Sequence, residues 1–126
     1  MKNKWLFIAA LSGFLCVTIG AFAAHGLSQV LDPKALAWID TGVKYQMFHT
    51  LAIMGIGIAQ LCRESLVANK MANVAAGSWV LGVLLFSGSL YALALGAGQF
   101  LVWVTPIGGT LFLIGWLCLA YGSLKK

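Results

Sequence analysis

Four long runs of apolar residues dominate the sequence, and they restrict the chain to folds that lipid surrounds. The first run covers residues 5–24, twenty residues without a charged side chain. The others cover about residues 45–62, 74–95 and 101–121. An α-helix rises about 1.5 Å per residue, so roughly twenty residues cross the ~30 Å hydrocarbon core of a bilayer. The sequence therefore predicts an all-α polytopic membrane protein, in which residues 1–126 form one antiparallel bundle of four transmembrane helices.

The first run has a second interpretation as a cleavable secretion signal, because Ala21-Phe22-Ala23 resembles a small-residue cleavage site. A signal peptide needs an apolar core of only about 7–15 residues, and this run is longer. Its length, in a chain with 61% hydrophobic and 9% charged residues, favours a permanent helix. The stretch GAFAAHGL at residues 20–27 is then the outer end of that helix and the start of a loop.

The basic residues flank the apolar runs and indicate how the helices are oriented. Six of the eight lie before the first run, between the second and third runs, or after the fourth: Lys2, Lys4, Arg63, Lys70, Lys125 and Lys126. The positive-inside rule places these segments, and hence both termini, in the cytoplasm. The sequence thus predicts a multi-pass protein of the bacterial cytoplasmic (inner) membrane. No basic face or basic-aromatic pattern is present, so nucleic acid is not an expected partner.

Two stretches beside the runs have alternative interpretations. Asp32-Pro33 is typical of a helix start and Thr41-Gly42 of a helix stop. Residues 33–42 are therefore either a short interfacial helix after the first span or an extension of the second span that bends at Gly42. The expectation adopted for the fold is the interfacial helix. Near the fourth run, Pro106 either begins the helix or kinks a longer one.

Small residues recur at regular spacing and predict where helices approach one another, because lipid-embedded helices associate through close backbone contact. Seven-residue spacings occur on the first and fourth spans and four-residue spacings on the third: Gly13 and Gly20; Gly108, Gly115 and Gly122; Gly88, Ala92 and Gly96. These ridges predict tight packing within the bundle. If one of them faces a second copy, the protein is a homo-oligomer.

Polar side chains converge on one predicted level near the outer leaflet. With the second span beginning near residue 45, His49 lies about one turn from its outer end, at a depth similar to that of His25. The predicted cluster consists of His25, Tyr45, Gln46, His49, Ser87, Tyr91 and Thr105. Three uses fit it: a hydrogen-bond network that ties the helix ends together, a pocket for a lipid headgroup or quinone, and a bis-histidine haem site.

The residues that catalysis and ion coupling require are missing from the runs. No Asp or Glu lies inside any run, whereas coupled transporters usually place an ionisable group near the midplane. No Ser-His-Asp set, paired carboxylates or zinc-type spacing can be assembled. The three cysteines, Cys16, Cys62 and Cys118, have no CxxC spacing. The sequence therefore predicts no enzymatic activity, no metal and no resident cofactor.

Four motifs occur in order along the chain: GAFAAHGL at residues 20–27, WIDTGVKYQMFHTLAI at 38–53, FSGSLYALAL at 86–95 and TPIGGTLFLIGW at 105–116. With these motifs the chain resembles the membrane-protein family called domain of unknown function 423, which includes bacterial inner-membrane proteins and transmembrane protein 256 of animals. The resemblance covers nearly the whole chain and departs from the family's GAFGAHGL pattern at Ala23.

This resemblance implies a multi-span membrane protein and does not imply a reaction. It marks the following residues as motif positions: His25, Gly26, Thr41, Gly42, Tyr45, His49, Ser87, Gly88, Tyr91, Pro106, Gly108 and Gly109. The expected function is that of a non-enzymatic accessory or scaffolding protein, surrounded by lipid and binding a membrane-protein partner through its helix faces. The alternatives are a binder or conduit for a lipid, a quinone or a neutral solute, and a bis-histidine haem carrier.

Overall fold

Four helices make up the computed structural model, which describes residues 3–66 and 69–124. Helix α1 covers Lys4–His25, α2 covers Pro33–Cys62, α3 covers Lys70–Ala94 and α4 covers Val104–Leu124. Short 3-10 turns lie between them at Leu27–Gln29, Glu64–Leu66 and Gln99–Trp103. The predicted all-α fold class is confirmed for the described residues.

Polar residues directly before three of the helices explain where these helices begin. The side-chain oxygens of Asn3, Asp32 and Asn69 each accept a hydrogen bond from the backbone N–H three residues further on, at 3.0, 2.8 and 3.0 Å. Each bond satisfies one of the N–H groups that a helix start leaves unpaired. Pro33 follows Asp32 in the first turn of α2, so the helix start predicted at this dipeptide is confirmed.

The second helix is longer than predicted, because the expected interfacial helix is its first part. Helix α2 runs without a break from Pro33 to Cys62, so the predicted stop at Thr41-Gly42 is wrong. The glycine instead permits close packing, since a Cβ atom at Gly42 would lie 2.6 Å from Cε1 of the Tyr91 ring. At about 1.5 Å per residue, the 30 residues of α2 extend about 45 Å.

Helix α3 changes its winding where α4 comes close to it. A π-helical turn at Val83–Ser87 lies between the α-helical parts Lys70–Gly82 and Gly88–Ala94. A Cβ atom at Gly108 of α4 would overlap the backbone of Phe86, which belongs to this turn. The π turn therefore lies at a point of close backbone contact between the two helices.

Helix α4 begins at Val104, directly after the 3-10 turn Gln99–Trp103. Pro106 therefore lies in its first turn, where a backbone nitrogen without hydrogen costs no hydrogen bond within the helix. Of the two roles predicted for Pro106, the structure shows the first, a position at the start of the helix.

Helix α2 is the central element of the bundle. Helix α1 packs along α2, whereas α3 packs against both α2 and α4. The core contains Ile53 of α2, Trp79 of α3 and Phe112 of α4, which are 1%, 1% and 4% exposed. Trp5 brings the start of α1 into this core. The core thus joins all four helices near one end of α1.

Three helical runs are long and apolar enough to cross a membrane: Lys4–Gln29, Lys70–Ala94 and Gln99–Leu124. Helix α2 is not among these three runs. It carries the buried polar residues Gln46, His49 and Gln60, which lower its mean hydropathy.

Two of the predicted small-residue ridges face a neighbouring helix. Cβ atoms at Gly108, Gly115 and Gly122 of α4 would overlap atoms of α3. Cβ atoms at Gly13 and Gly20 of α1 would lie 3.8 and 3.9 Å from side chains of α2, which is ordinary contact. Of these two ridges, the one on α4 is therefore the ridge that requires glycine.

The third predicted ridge does not form a helix contact within the described residues. No heavy atom lies within 4 Å of a Cβ position at Gly88 or Gly96. Gly96 has a φ of 95° and lies past the end of α3. Its N–H donates to the carbonyl of Leu93 at 3.1 Å, and that of Ala97 to Ala92 at 2.9 Å. This Schellman motif ends the helix, so Gly88, Ala92 and Gly96 do not share one helical face.

Candidate functional site

His49 is buried between α2 and α4, with 3% of its surface exposed. Its Nδ1 atom lies 2.8 Å from the carbonyl oxygen of Tyr45, and its Nε2 atom lies 2.9 Å from the indole nitrogen of Trp116. A carbonyl only accepts and an indole N–H only donates, so Nδ1 carries the hydrogen and Nε2 accepts. The ring of Phe112 stacks on the imidazole at 3.7 Å between centroids. Both nitrogens of this neutral histidine are therefore engaged.

Gln46 connects three helices and is 4% exposed. Its amide nitrogen donates to the carbonyl oxygen and the hydroxyl of Ser12 in α1, both at 3.1 Å. Its amide oxygen accepts a hydrogen bond from the Tyr91 hydroxyl of α3 at 2.6 Å. The Ser12 and Thr50 hydroxyls are 2.6 Å apart. These four residues form what we call the Gln46 network, which satisfies groups that lipid cannot.

Two other predicted members bond at separate places. Ser87 is fully buried, and its hydroxyl donates to the carbonyl of Gly42 at 2.7 Å, which joins α3 to α2. Thr105 shares a hydrogen bond with the hydroxyl of Ser89, which joins the start of α4 to α3. The structure therefore brings Gln46 and Tyr91 into direct contact and holds Ser87 and Thr105 in pairs of their own.

Tyr45 lies at the surface of the bundle. Its side chain is 46% exposed, and its ring packs against Phe86 at 4.8 Å between centroids. The backbone carbonyl of Tyr45 accepts the hydrogen bond from His49, whereas its hydroxyl takes no part in the Gln46 network. The rings of Tyr45 and His49 both stack with Phe112 of α4, whereas Gln46 bonds to α1 and α3.

His25 lies apart from the other predicted members. Helices α1 and α2 are antiparallel, and the Cys16 thiol lies 3.5 Å from the carbonyl oxygen of Val43. In this register His25 is level with about residue 35, which is roughly 20 Å along α2 from His49. Its side chain is exposed. The predicted common depth of the two histidines is therefore wrong, because α2 begins at residue 33 and not near 45.

This register also removes the bis-histidine haem alternative. One iron atom requires both imidazoles as axial ligands on its opposite faces. Two histidines about 20 Å apart along the bundle cannot provide this arrangement. In addition, the lone pair of His49 Nε2 already accepts the Trp116 hydrogen bond.

The remaining polar groups lie deeper than predicted. Gln46 and His49 follow the first residue of α2 by 13 and 16 positions, or about 20 and 24 Å along a helix of about 45 Å. They are therefore near mid-height of the bundle. Of the predicted cluster, His25 and Thr105 lie at helix ends, the first at the end of α1 and the second at the start of α4.

A second polar network joins the opposite end of the bundle and was not predicted. Gln60 is 6% exposed and donates to Asn73 Oδ1 at 3.0 Å and to the carbonyl of Leu66 at 3.2 Å. Trp5 donates to the same Asn73 oxygen at 2.7 Å. The signal in the sequence was an amide side chain at the edge of an apolar run, since such a group needs a partner when buried.

An apolar furrow lies between α1 and α3, with α2 as its floor. The two walls meet near Trp5, whose ring lies 3.8 Å from a Cβ position at Gly77, and they are separate toward the other end. One stretch of the furrow begins at Ile8 and a second reaches Leu27, and both stretches include Ile19 and Tyr91. The furrow is open to the surroundings on one side.

The chemistry available inside the bundle is that of hydrogen bonding between helices. The described residues contain no group of three His, Cys, Asp or Glu side chains that could hold a metal ion. Among the buried side-chain nitrogen and oxygen atoms of these segments, Trp79 Nε1 is the one without a hydrogen-bond partner. This atom lies against Gly115 of α4, at a helix contact.

Comparisons with known proteins identify relatives that are named membrane proteins. The family described as "Protein of unknown function (DUF423)" matches residues 19–109. The "UPF0382 membrane protein" of Haemophilus influenzae is 61% identical over 126 residues, which cover 100% of this chain and 98% of that protein. The "UPF0382 inner membrane protein YgdD" of Escherichia coli K12 is 44% identical, with 99% and 93% covered.

A more distant relative also aligns along almost the whole of both chains. The UPF0382 membrane protein of Staphylococcus saprophyticus is 39% identical over 123 residues, covering 96% of this chain and 97% of that protein. No solved structure matches the chain. The family match covers most of the chain, and the relatives align along almost their entire length. The predicted resemblance is therefore confirmed, and the chain belongs to the DUF423 family of membrane proteins.

Proposed function

We propose that the protein is a non-enzymatic accessory or scaffolding protein that spans the bacterial cytoplasmic membrane four times and binds another membrane protein. The observation that carries this proposal is the use of the buried polar side chains. His49, Gln46 and Ser87 are all engaged in hydrogen bonds between helices. The helix faces then remain as the surfaces through which the protein interacts.

The packing of α2 supports four spans. Helix α2 lies beside α1 along the whole length of α1, from the hydrogen bond between Asn3 and the Gly57 carbonyl, at 2.8 Å, to the packing of Ala23 against the buried cluster that contains Ile39. Helix α1 is long and apolar enough to cross a membrane. A helix that packs against α1 over this distance crosses the same membrane, so lipid surrounds both helices.

The charges of the described residues support cytoplasmic termini. Lys4, Arg63 and Lys70 lie at one end of the bundle, where hydrogen bonds from Gln60 and Trp5 to Asn73 join the helix ends. The other half of the bundle has Lys34 and Lys44, which Asp32 and Asp40 offset, and Lys44 pairs with Asp40 at 3.0 Å. The positive-inside rule assigns the first end to the cytoplasm. The basic residues expected at positions 2, 125 and 126 lie outside the described residues. The relative from Escherichia coli is named an inner membrane protein, which supports the cytoplasmic membrane as the location of this protein.

The outer face of α1 supports a role in binding a partner. Phe7, Phe14 and Phe22 are 64%, 68% and 63% exposed. Their spacings of seven and eight residues place them on one face of the helix. Phenylalanine rings offer large, rigid contact areas to a second protein. We call this the α1 phenylalanine face, and a transmembrane helix of a partner is its proposed occupant.

The proposal is tested by replacing the three phenylalanines with leucine. Lipid solvates leucine as well as phenylalanine, so the variant Phe7→Leu, Phe14→Leu, Phe22→Leu should fold and insert normally. A complementary protein surface would lose its aromatic contacts. We expect a partner retained by the tagged wild-type protein in mild detergent to fall roughly tenfold with the variant. Quantitative mass spectrometry of the purified complexes measures this loss.

A matched control changes an exposed face of α4. Leu113 and Leu117 are 66% and 70% exposed, and the double change of both residues to phenylalanine alters shape without altering polarity. Partner retention should remain at the wild-type level in this control. Equal retention by wild type and the triple variant would contradict the proposed surface. Retention of only a second, differently tagged copy of the chain would identify the partner as this protein itself and make it a homo-oligomer.

The alternative function, binding of a neutral lipid or quinone, is favoured by a separate observation. The furrow between α1 and α3 is open, apolar and lined at mid-height by the Gln46 network. Of the α1 phenylalanine face, only Phe22 lines the furrow, in its second stretch.

A further inference from the structure

We propose that the furrow between α1 and α3 binds a neutral prenyl lipid of the quinone class, with its chain along the furrow and its polar ring beside Tyr91. This inference rests on the proposed four-span arrangement, because only a spanning bundle exposes the furrow to the hydrocarbon of the membrane. Length, width and the polar groups that line the furrow each contribute to the choice of ligand.

The length of the furrow exceeds one leaflet. Its ends lie at Ile8 and Leu27, which are 19 residues apart and therefore about 28 Å along a helix. This distance is close to the whole hydrocarbon thickness of ~30 Å, of which each leaflet supplies about half. The acyl chain of a phospholipid extends within its own leaflet. A prenyl chain with many units is long enough to occupy the furrow across the midplane.

The width of the furrow fits one hydrocarbon chain. The stretch from Ile8 to Ile19 extends about 16 Å along α1 and holds about 800 Å³ of empty space, its open side included. The mean cross-section is therefore at most about 50 Å². A helix about 10 Å in diameter needs about 80 Å². A single chain with carbon contacts near 4 Å needs about 20 Å², so the furrow is too narrow for a partner's helix.

Polar groups line the furrow near mid-height. Gln46 lies on its floor, and Ser12 and Tyr91 lie on its two walls. The Tyr91 hydroxyl donates its hydrogen to Gln46 and keeps its lone pairs as acceptors. A quinol hydroxyl can donate to this oxygen without breaking the Gln46 network. A charged phosphate group would be costly at this depth and stays at the membrane surface. These polar groups therefore favour a neutral ring over a phospholipid headgroup.

Gly88 supplies room for the ring. It lines the same furrow, three positions before Tyr91 and on the same side of α3. No heavy atom lies within 4 Å of a Cβ position at Gly88. The space in front of this glycine is thus open and adjacent to the Tyr91 side chain, which explains why the third predicted small-residue ridge has no helix against it.

The test compares two glycines that both face open space. The full chain is placed in nanodiscs of phosphatidylethanolamine and phosphatidylglycerol that also contain a long-chain prenyl quinol, and bound lipid is counted by native mass spectrometry. Gly88→Phe fills the furrow, whereas Gly55→Phe adds the same side chain to α2, where also no atom lies within 4 Å. We expect Gly88→Phe to lower quinol binding about tenfold or more, and Gly55→Phe to bind like wild type.

A second variant tests the polar contact. Tyr91→Phe removes the acceptor oxygen and should lower quinol binding roughly fivefold, the effect of one ordinary hydrogen bond. Wild-type binding by Gly88→Phe would overturn the proposal, as would retention of phospholipid in the furrow in preference to quinol. The variants at Gly88 and Tyr91 leave Phe7, Phe14 and Phe22 unchanged, and partner retention is a separate measurement, so the two proposals can fail independently. Thermal unfolding of each variant identifies one that does not fold.

Discussion

The role of His49 follows from its contacts with α4. Trp116 donates a hydrogen bond to its Nε2 atom at 2.9 Å, and Phe112 stacks on its ring at 3.7 Å. Trp116 and Phe112 are four positions apart, on one face of α4. One face of α4 therefore contacts both an edge and a surface of the imidazole. At this scale the histidine acts as a connector between α2 and α4.

We expect His49→Leu to lower the free energy of unfolding by about 1–3 kcal/mol, because the Trp116 N–H would lose its acceptor in the interior. Cys16→Ala is the control. The Cys16 thiol is 3.5 Å from the Val43 carbonyl and forms only a weak hydrogen bond, so this change should cost less. Thermal unfolding in detergent measures both variants. Equal unfolding midpoints would show that His49 does not join the helices.

At the scale of helices, the pair α3 and α4 depends on the absence of side chains. Cβ atoms at Gly108 and Gly115 would overlap Phe86 and Trp79 of α3. Membrane-embedded helices gain little from burying apolar surface and associate through close packing. The seven-residue spacing of these glycines keeps them on one side of α4, so the two helices touch along their length.

We expect Gly115→Ala to destabilise the bundle by about 1–3 kcal/mol, because the added Cβ would overlap Trp79 and lie 3.1 Å from the Ala75 carbonyl. Alanine is otherwise favoured over glycine in a helix by up to about 1 kcal/mol. Gly55→Ala faces open space and should keep or raise stability. Unfolding by sodium dodecyl sulphate measures both changes. A Gly115→Ala protein as stable as the Gly55→Ala protein would contradict the close contact.

At the scale of the whole molecule, α2 determines both the topology and the position of the polar groups. It is continuous from Pro33 to Cys62, and α1 and α3 both pack on it. The furrow exists because these two neighbours of α2 meet near Trp5 and are separate elsewhere. If α2 crosses the membrane, its two ends lie on opposite sides.

Cysteine labelling tests this topology. Cys62 is exposed at the end of α2, and Val30 is 75% exposed just before its start. In a background with Cys16→Ala and Cys118→Ala, Cys62 should react with an impermeant maleimide only in inverted vesicles. With Cys62 also replaced by alanine, Val30→Cys should react only in intact spheroplasts. Labelling of both positions from one side would contradict four spans with cytoplasmic termini.

Local patterns in the sequence determined the apolar helices and one of their boundaries. Residues 5–24 and the Asp32-Pro33 helix start are recognisable because hydropathy and capping act within a few turns of one helix. The need of Gln46 and His49 for partners was also visible, since lipid offers none. The identities of these partners could not be predicted, because Ser12 is 34 positions from Gln46 and Trp116 is 67 positions from His49 in the chain.

The tertiary structure decided the register between helices and the use of each glycine. The sequence alone left open whether Gly42 ends a helix, and only the ring of Tyr91 against it shows that it permits close packing. The separation of His25 from His49 likewise depends on how α1 lies along α2. Helix faces and depths are set by contacts between distant residues, and one helix's own pattern cannot specify which surface of another helix it will meet.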